Sequence, residues 1–395
     1  MVGIRRNFGT VAGGVVEDMA YPNLESYSEI VPVIKSKPAY KGFSQELSYP
    51  ALSNGRRRVS YRAGNTATWA PADPWWHYSK TQWENCDGTK ILLKNKLLDS
   101  STFDIINNSI TGIGTNYQWS NTDNNLVFGI NTNTAVFAAK NATTSAIIFQ
   151  RDLAAEGWTP AGGIFGNFEG CMSNADDALI VTGIKGGVSK FALYNPQTDL
   201  FEWEKTLSVE NAGYISDWIG MSQLGNYYMM RNNSTTPLDK WHRLFARDGT
   251  FVRDLPYGSH GDFGIDYLGR EVYATILPLQ YTVLATGENV QLISNADLQI
   301  GNKGVAGGDA SGGHLSCRNK SRPGWAYVSL STGAFRGEMF AVELKPNPQV
   351  QRFGFNNSTE PSVACPNFDG TKIAYLSSLG DGVVESYILQ VIPAP

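Results

Sequence analysis

At 395 residues the chain exceeds the size of an ordinary single domain, so it holds either several domains or one that grows by repetition. Charged residues make up only 17% and the formal net charge is −4, with Lys and Arg scattered; this excludes the basic footprint that nucleic acid or an anionic membrane requires. The wealth of Gly (41), Tyr (18), Phe (18) and Trp (10) suits many short strands joined by turns, and no apolar run approaches the roughly 18 residues that cross a bilayer.

From the N-terminus, Arg5-Arg6-Asn7-Phe8 imitates the opening of a twin-arginine export signal. The stretch that follows is short and Gly-rich, lacks Leu and ends at Glu17 and Asp18, so no signal peptide is expected. The alternating segment 27–34, rich in Val, Ile and Tyr, reads as a strand. The triplet Arg56, Arg57, Arg58 is the one basic run and reads as a solvated loop rather than a phosphate site. Next comes an aromatic cluster, Trp69, Trp75, Trp76, His77 and Trp83, around Pro71 and Pro74. Exposed rings of this kind stack on sugar faces, and buried ones plug a fold. The buried reading is favoured, with Trp75, Trp76 and His77 as the ligand-binding candidates of the other.

A repeat then organises the chain. Its clearest copies are Asn85-Cys86-Asp87-Gly88-Thr89-Lys90-Ile91-Leu92 and Asn367-Phe368-Asp369-Gly370-Thr371-Lys372-Ile373-Ala374. Each is an Asp-Gly turn leading into an apolar strand. Weaker copies lie around Asn124, Asp177, Gly225, Gly269 and Pro323, which makes seven marks about 40 to 50 residues apart. Further strand-like segments follow the marks, such as Phe191-Ala192-Leu193-Tyr194 and Phe340-Ala341-Val342. Three or four short strands per unit is the signature of a propeller blade. The expected fold is therefore all-β, a seven-bladed β-propeller forming one domain over residues 1–395. Residues 1–50 form an N-terminal arm, and segment 27–34 completes the short last blade and closes the ring.

Nine residues before each mark lies an equivalent point near the innermost strand, and two of the four histidines, His260 and His314, fall there in adjacent blades. Glycines flank both, which permits close approach of a ligand or of another backbone. The candidate catalytic set is His260, His314, Arg318, Arg322 and Tyr327, with Tyr273 as a second possible proton carrier and Asp262 as a ligand-binding group. An imidazole near neutral pKa moves a proton while an arginine stabilises developing negative charge. An alternative is that the imidazoles and Asp262 only hydrogen-bond neighbouring strands. His260, His314 and Asp262 could hold a divalent metal only as a minimal set, so no cofactor is expected. The cysteines Cys86, Cys171, Cys317 and Cys365 lack C-x-x-C spacing and read as core residues.

The Asp-Gly-Thr-Lys repeats resemble TolB-type propellers. The His-Gly-Asp and Gly-His-x-Ser units resemble seven-bladed polysaccharide lyases of the oligogalacturonate and ulvan type. That resemblance implies β-elimination beside a uronate carboxylate by channel-facing histidines aided by Tyr, Arg or a divalent metal. The last blade departs from it, with Ser362-Val363-Ala364-Cys365 where such lyases often carry a further histidine. Two functions follow. The first is a structural or binding propeller of an extracellular or virion assembly, such as a bacteriophage capsid or tail, contacting protein subunits or a surface glycan. The second is a uronate-directed lyase. Neither nucleic acid nor membrane is an expected partner.

Overall fold

The computed structural model describes residues 79–93, 95–110, 116–131, 134–160, 170–207, 218–231, 242–255, 260–295, 298, 313–331, 337–355, 364–377 and 385–390, together with strand residues 43–44 and 55–58. Regular structure among them is entirely β, in seven antiparallel sheets that form the blades of a ring.

The first blade has Lys90–Leu93, Lys96–Asp99 and Ile105–Asn107, with Glu84 bridging to Ile91 on the inner edge. The second runs Asn116–Trp119, Leu126–Asn131, Val136–Asn141, Ile147–Asp152. In the third, Trp158–Pro160 and the bridging Met172 share the inner edge of Leu179–Lys185, followed outward by Val188–Asn195 and Leu200–Thr206. The fourth is Ile219–Met221, Tyr227–Arg231, His242–Ala246, Phe251–Leu255, and the fifth Gly261–Ile265, Glu271–Ile276, Leu279–Val283, Asn289–Ile293. The sixth is Gly313–Ser316, Trp325–Leu330, Glu338–Glu343, Val350–Phe355. The first strands of blades four to seven lie against one another, so they line the axis.

The seventh blade closes the ring. Cys365–Pro366, Lys372–Ser377 and Glu385–Gln390 are completed by Gly55–Arg58, which pairs Arg56 with Leu389 and Arg57 with Ile388, and Phe43–Ser44 adds a fifth strand. An N-terminal strand does close the ring, but it is Gly55–Arg58; segment 27–34 lies outside the described residues. The arginine triplet is thus strand rather than loop, because the open edge of Glu385–Gln390 needs backbone partners whatever the side chains are.

The inner strands of each sheet are buried on both sides, which explains why they read as continuous apolar runs rather than alternating ones. Alternate residues serve alternate neighbours. Ile91 and Leu93 join Cys365, Ala374 and Leu376 of the seventh blade, while Leu92 between them joins Tyr117, Trp119 and Val127 of the second. The described core divides into seven such clusters, one for each interface between blades.

The repeated motif is the hairpin between the first and second strand of a blade. Its fourth residue donates its N–H to the carbonyl of its first: Gly88 to Asn85, Asp176 to Ser173, Gly225 to Ser222, Gly269 to Asp266 and Gly370 to Asn367, at 3.0 to 3.1 Å. The fourth residue has positive φ in all five, and the first caps the turn by accepting a later N–H, as Asn85 does from Lys90 at 2.9 Å and Asn367 from Lys372 at 3.0 Å. In the third blade the left-handed residue is Asp176 (φ 58°), one before the position expected, and in the sixth it is Gly324 (φ 87°) rather than Pro323. Pro323 cannot fill that role, since its ring fixes φ near −65°.

Two turn glycines separate backbone from packing costs. A Cβ at Gly269 meets nothing, whereas one at Gly370 would lie 2.2 Å from the Tyr327 hydroxyl. Gly269→Ala should cost about 1 kcal/mol for the left-handed backbone alone. Gly370→Ala should cost a further ~1–3 kcal/mol through overpacking, read as a lower denaturation midpoint.

Candidate functional site

The structure brings His260 and His314 together. The His260 carbonyl accepts from Ile276 N at 3.0 Å, just before the strand Gly261–Ile265, and His314 lies within Gly313–Ser316 of the next blade. Their rings approach to 4.4 Å between centroids at 33°, with His314 buried and His260 half-buried. The flanking glycines serve the backbone. A Cβ at Gly261 would sit 2.5 Å from the Ala274 carbonyl oxygen, and one at Gly313, where φ is +139°, 2.0 Å from that of Ser329.

Asp262 and Arg318 form a second centre, fully buried and bonded to each other. Arg318 Nε donates to Asp262 Oδ2 at 2.8 Å, and its Nη2 donates to Oδ1. Cys317 N donates to Oδ2 at 2.9 Å and Phe263 N to Oδ1 at 2.9 Å, so both carboxylate oxygens are engaged. Burial opposes the charge on Arg318, but the Asp262 carboxylate outweighs it and leaves the guanidinium's pKa above its ordinary value. This pair fastens the fifth blade to the sixth.

Arg322 and Tyr327 are not part of either centre. Tyr327 is buried in the interface of the sixth and seventh blades, donating to Gly370 O at 2.7 Å and accepting from Arg322 Nη1 at 2.8 Å. Burial pushes its hydroxyl up to about 12, far from the range suited to proton transfer near neutral pH. Tyr273 is likewise buried, packed with Trp218 and Phe263 in the interface of blades four and five. Trp75, Trp76 and His77 lie outside the described residues, as does Trp69. Trp83 is buried and donates its indole N–H to Cys365 O at 2.9 Å, joining first and seventh blades.

Cys171, Cys317 and Cys365 are buried and Cys86 is half-exposed, because it occupies the turn itself rather than the strand before it. Burial pushes the Cys365 thiol up to about 12 and raises Cys317 as well, so neither is a nucleophilic thiolate near neutral pH. Among the described residues no three His, Cys, Asp or Glu side chains gather into a metal-ligating group.

Sequence reasoning missed a third polar centre, at the hairpin end of the axis. Lys320 reaches from the sixth blade to Asn121 Oδ1 of the second and lies 5.0 Å from the Phe368 ring of the seventh. Beside it, Asp176 Oδ2 accepts from Ser120 Oγ at 2.6 Å, Asn121 N at 2.8 Å and Thr122 Oγ1 at 3.0 Å, which ties the third blade to the second. Asp176 Oδ1 is buried without a hydrogen-bond partner. Burial raises the pKa of Asp176, and burial followed by the charge of Arg318 lowers that of Lys320 to about 7. The signals were present: Asp176 is an acid at a turn position that four other blades fill with glycine, and Lys320 sits in a hairpin that departs from the repeat.

No family model and no curated protein matches the sequence, so neither supports the TolB or lyase resemblance. Solved structures do match. A chain of the mitotic checkpoint complex is 8% identical, with 92% of this chain and 100% of that one covered at a TM-score of 0.51. The Dos1 propeller is 12% identical over 78% and 77% of the two chains, at a TM-score of 0.44. Hsv2 of Kluyveromyces lactis is 12% identical over 66% and 70%, at 0.39. The likeness is one of fold alone. The chain is a seven-bladed β-propeller.

The Lys320 centre makes stability depend on pH. Its folded pKa of about 7 lies below the ordinary 10.5, so between these values the unfolded chain holds a proton that the folded chain has released. Stability therefore rises with pH across that window. Thermal midpoints of wild type should climb from pH 7 to pH 10 relative to those of Lys320→Met, and parallel curves for the two proteins would refute the assignment.

Proposed function

We propose that this propeller is a non-catalytic binding scaffold, a subunit that meets protein partners within a larger assembly of the extracellular or virion kind. The observation that carries the reading is the buried Asp262–Arg318 pair: the arginine best placed to neutralise a substrate carboxylate is instead spent on its own neighbour. Arg322 and Tyr327 are likewise engaged with each other and with Gly370. A propeller joins many short loops at two ends of a rigid ring, a form suited to binding. The likeness in fold to a chain of the mitotic checkpoint complex is consistent with protein partners. The low content of charge, with polarity supplied by Asn, Ser and Thr, suits an extracellular or virion surface.

One observation favours a second reading. The contact of His260 with His314 puts two proton carriers side by side at the opposite end of the first strands from the hairpins, as a uronate lyase acting by β-elimination would need.

Incubation of the purified chain with a panel of uronate polysaccharides separates the two, since β-elimination generates an unsaturated uronate with strong ultraviolet absorbance. The scaffold reading expects no such product. Its appearance, together with its loss in His260→Ala and His314→Ala, would establish the lyase instead.

A further inference from the structure

The hairpin end of the ring is chemically divided. Its tips in the seventh, first and second blades are Asp369, Asp87 and Asp123, all exposed, and none of the three is in an ion pair among the described residues. These blades are consecutive, because Trp83 bonds the seventh to the first and Trp119 Nε1 donates to Trp83 O at 3.3 Å from the second. The tips in the third to fifth blades are Ala175, Leu224 and Tyr267 with Leu268, and that of the sixth is Ser321 followed by Pro323, all exposed. Leu224 is 54% exposed, Tyr267 51% and Leu268 59%, which is unusual at turns, where Gly, Asn, Asp and Ser are favoured.

The apolar tips are also held in place. Leu224 N donates to Glu271 Oε1 at 2.7 Å, Gly324 N to Ile265 O at 2.8 Å and Tyr267 N to Leu344 O at 3.3 Å, which knits blades four, five and six together. A fixed apolar patch loses little conformational freedom on binding. Between the two arcs, on the axis, Lys320 has Asp176 beside it, so no excess positive charge stands at the centre.

We infer that this end of the ring docks a protein segment that presents an apolar anchor beside basic side chains. The inference rests on the scaffold reading and gives it a face and a partner chemistry. The apolar arc takes the anchor and the acidic arc takes the cations. The acidic arc disfavours nucleic acid and anionic lipid, both of which it would repel. A second copy of the same face offers basic groups that are already engaged within it, Arg270 with Asp266, Lys320 with Asn121, Arg322 with Tyr327 and Lys372 with Glu84.

The test is selection from a phage-displayed random-peptide library on the immobilised full chain. Enriched peptides should combine an aromatic or branched aliphatic residue with Lys or Arg. A synthetic peptide of the enriched sequence should bind about tenfold more weakly to Leu268→Ser and to Leu224→Ser. It should lose affinity for the double variant Asp87→Asn, Asp369→Asn and weaken as salt rises. Ile148→Ser, an exposed position on the outer strand of the second blade, should bind as wild type does. All these positions are on the surface, so circular dichroism spectra should coincide. Enrichment of acidic peptides, or binding indifferent to the hairpin-tip variants, would overturn this face while leaving a binding protein. No enrichment at all would overturn the scaffold reading with it.

Discussion

A blade of this protein has apolar residues on both faces of its sheet, and burying both requires a neighbour on each side. Leu92 turns to the second blade and Ile91 and Leu93 to the seventh, so the first blade has no core of its own. The same holds around the ring, which makes closure a condition of stability rather than an ornament. Pairing of Gly55–Arg58 with Glu385–Gln390 supplies that closure by adding an N-terminal strand to the C-terminal sheet. Exposure of an unclosed interface would return a full cluster such as Tyr327, Met339, Phe353, Tyr375 and Tyr387 to water, at about 25 cal/mol per Å² of apolar surface.

Polar groups near the axis repeat this logic. A buried charge needs a partner, and for three buried carboxylates of this ring the partner comes from another blade. Asp262 meets Arg318 across blades five and six, Asp176 holds Ser120, Asn121 and Thr122 across three and two, and Glu84 takes Asn367 and Lys372 across one and seven. Residues that look catalytic by type are thereby given to assembly of the ring. What remains open to solvent on the hairpin face is the row of turn tips, where apolar and acidic arcs stand on opposite sides of the axis.

Much of this fold was legible because a hairpin turn imposes local demands. Positive φ at Gly88 and Gly370 favours glycine, and the preceding Asp87 and Asp369 accept from Thr89 and Thr371, so the Asp-Gly-Thr repeat is written in the residues themselves. The closing strand was not legible, because any extended segment can satisfy an open sheet edge through its backbone and Gly55–Arg58 carries no apolar pattern. The site was half legible. The register brought His260 beside His314, but a spacing count does not reveal which way Tyr327 points, and it faces the seventh blade. Lys320 and Asp176 escaped notice because their meeting is made by ring closure, between segments far apart in the chain.

The claim that axial charges hold blades together is tested most directly by a double-mutant cycle on Asp262 and Arg318, read by chemical denaturation. Removing one partner strands a buried charge, so Asp262→Leu and Arg318→Met should each cost about 3–5 kcal/mol, and the double variant should cost much less than the two together. Single variants with wild-type denaturation midpoints would contradict the account, and would return Asp262 and Arg318 to the pool of groups available for chemistry.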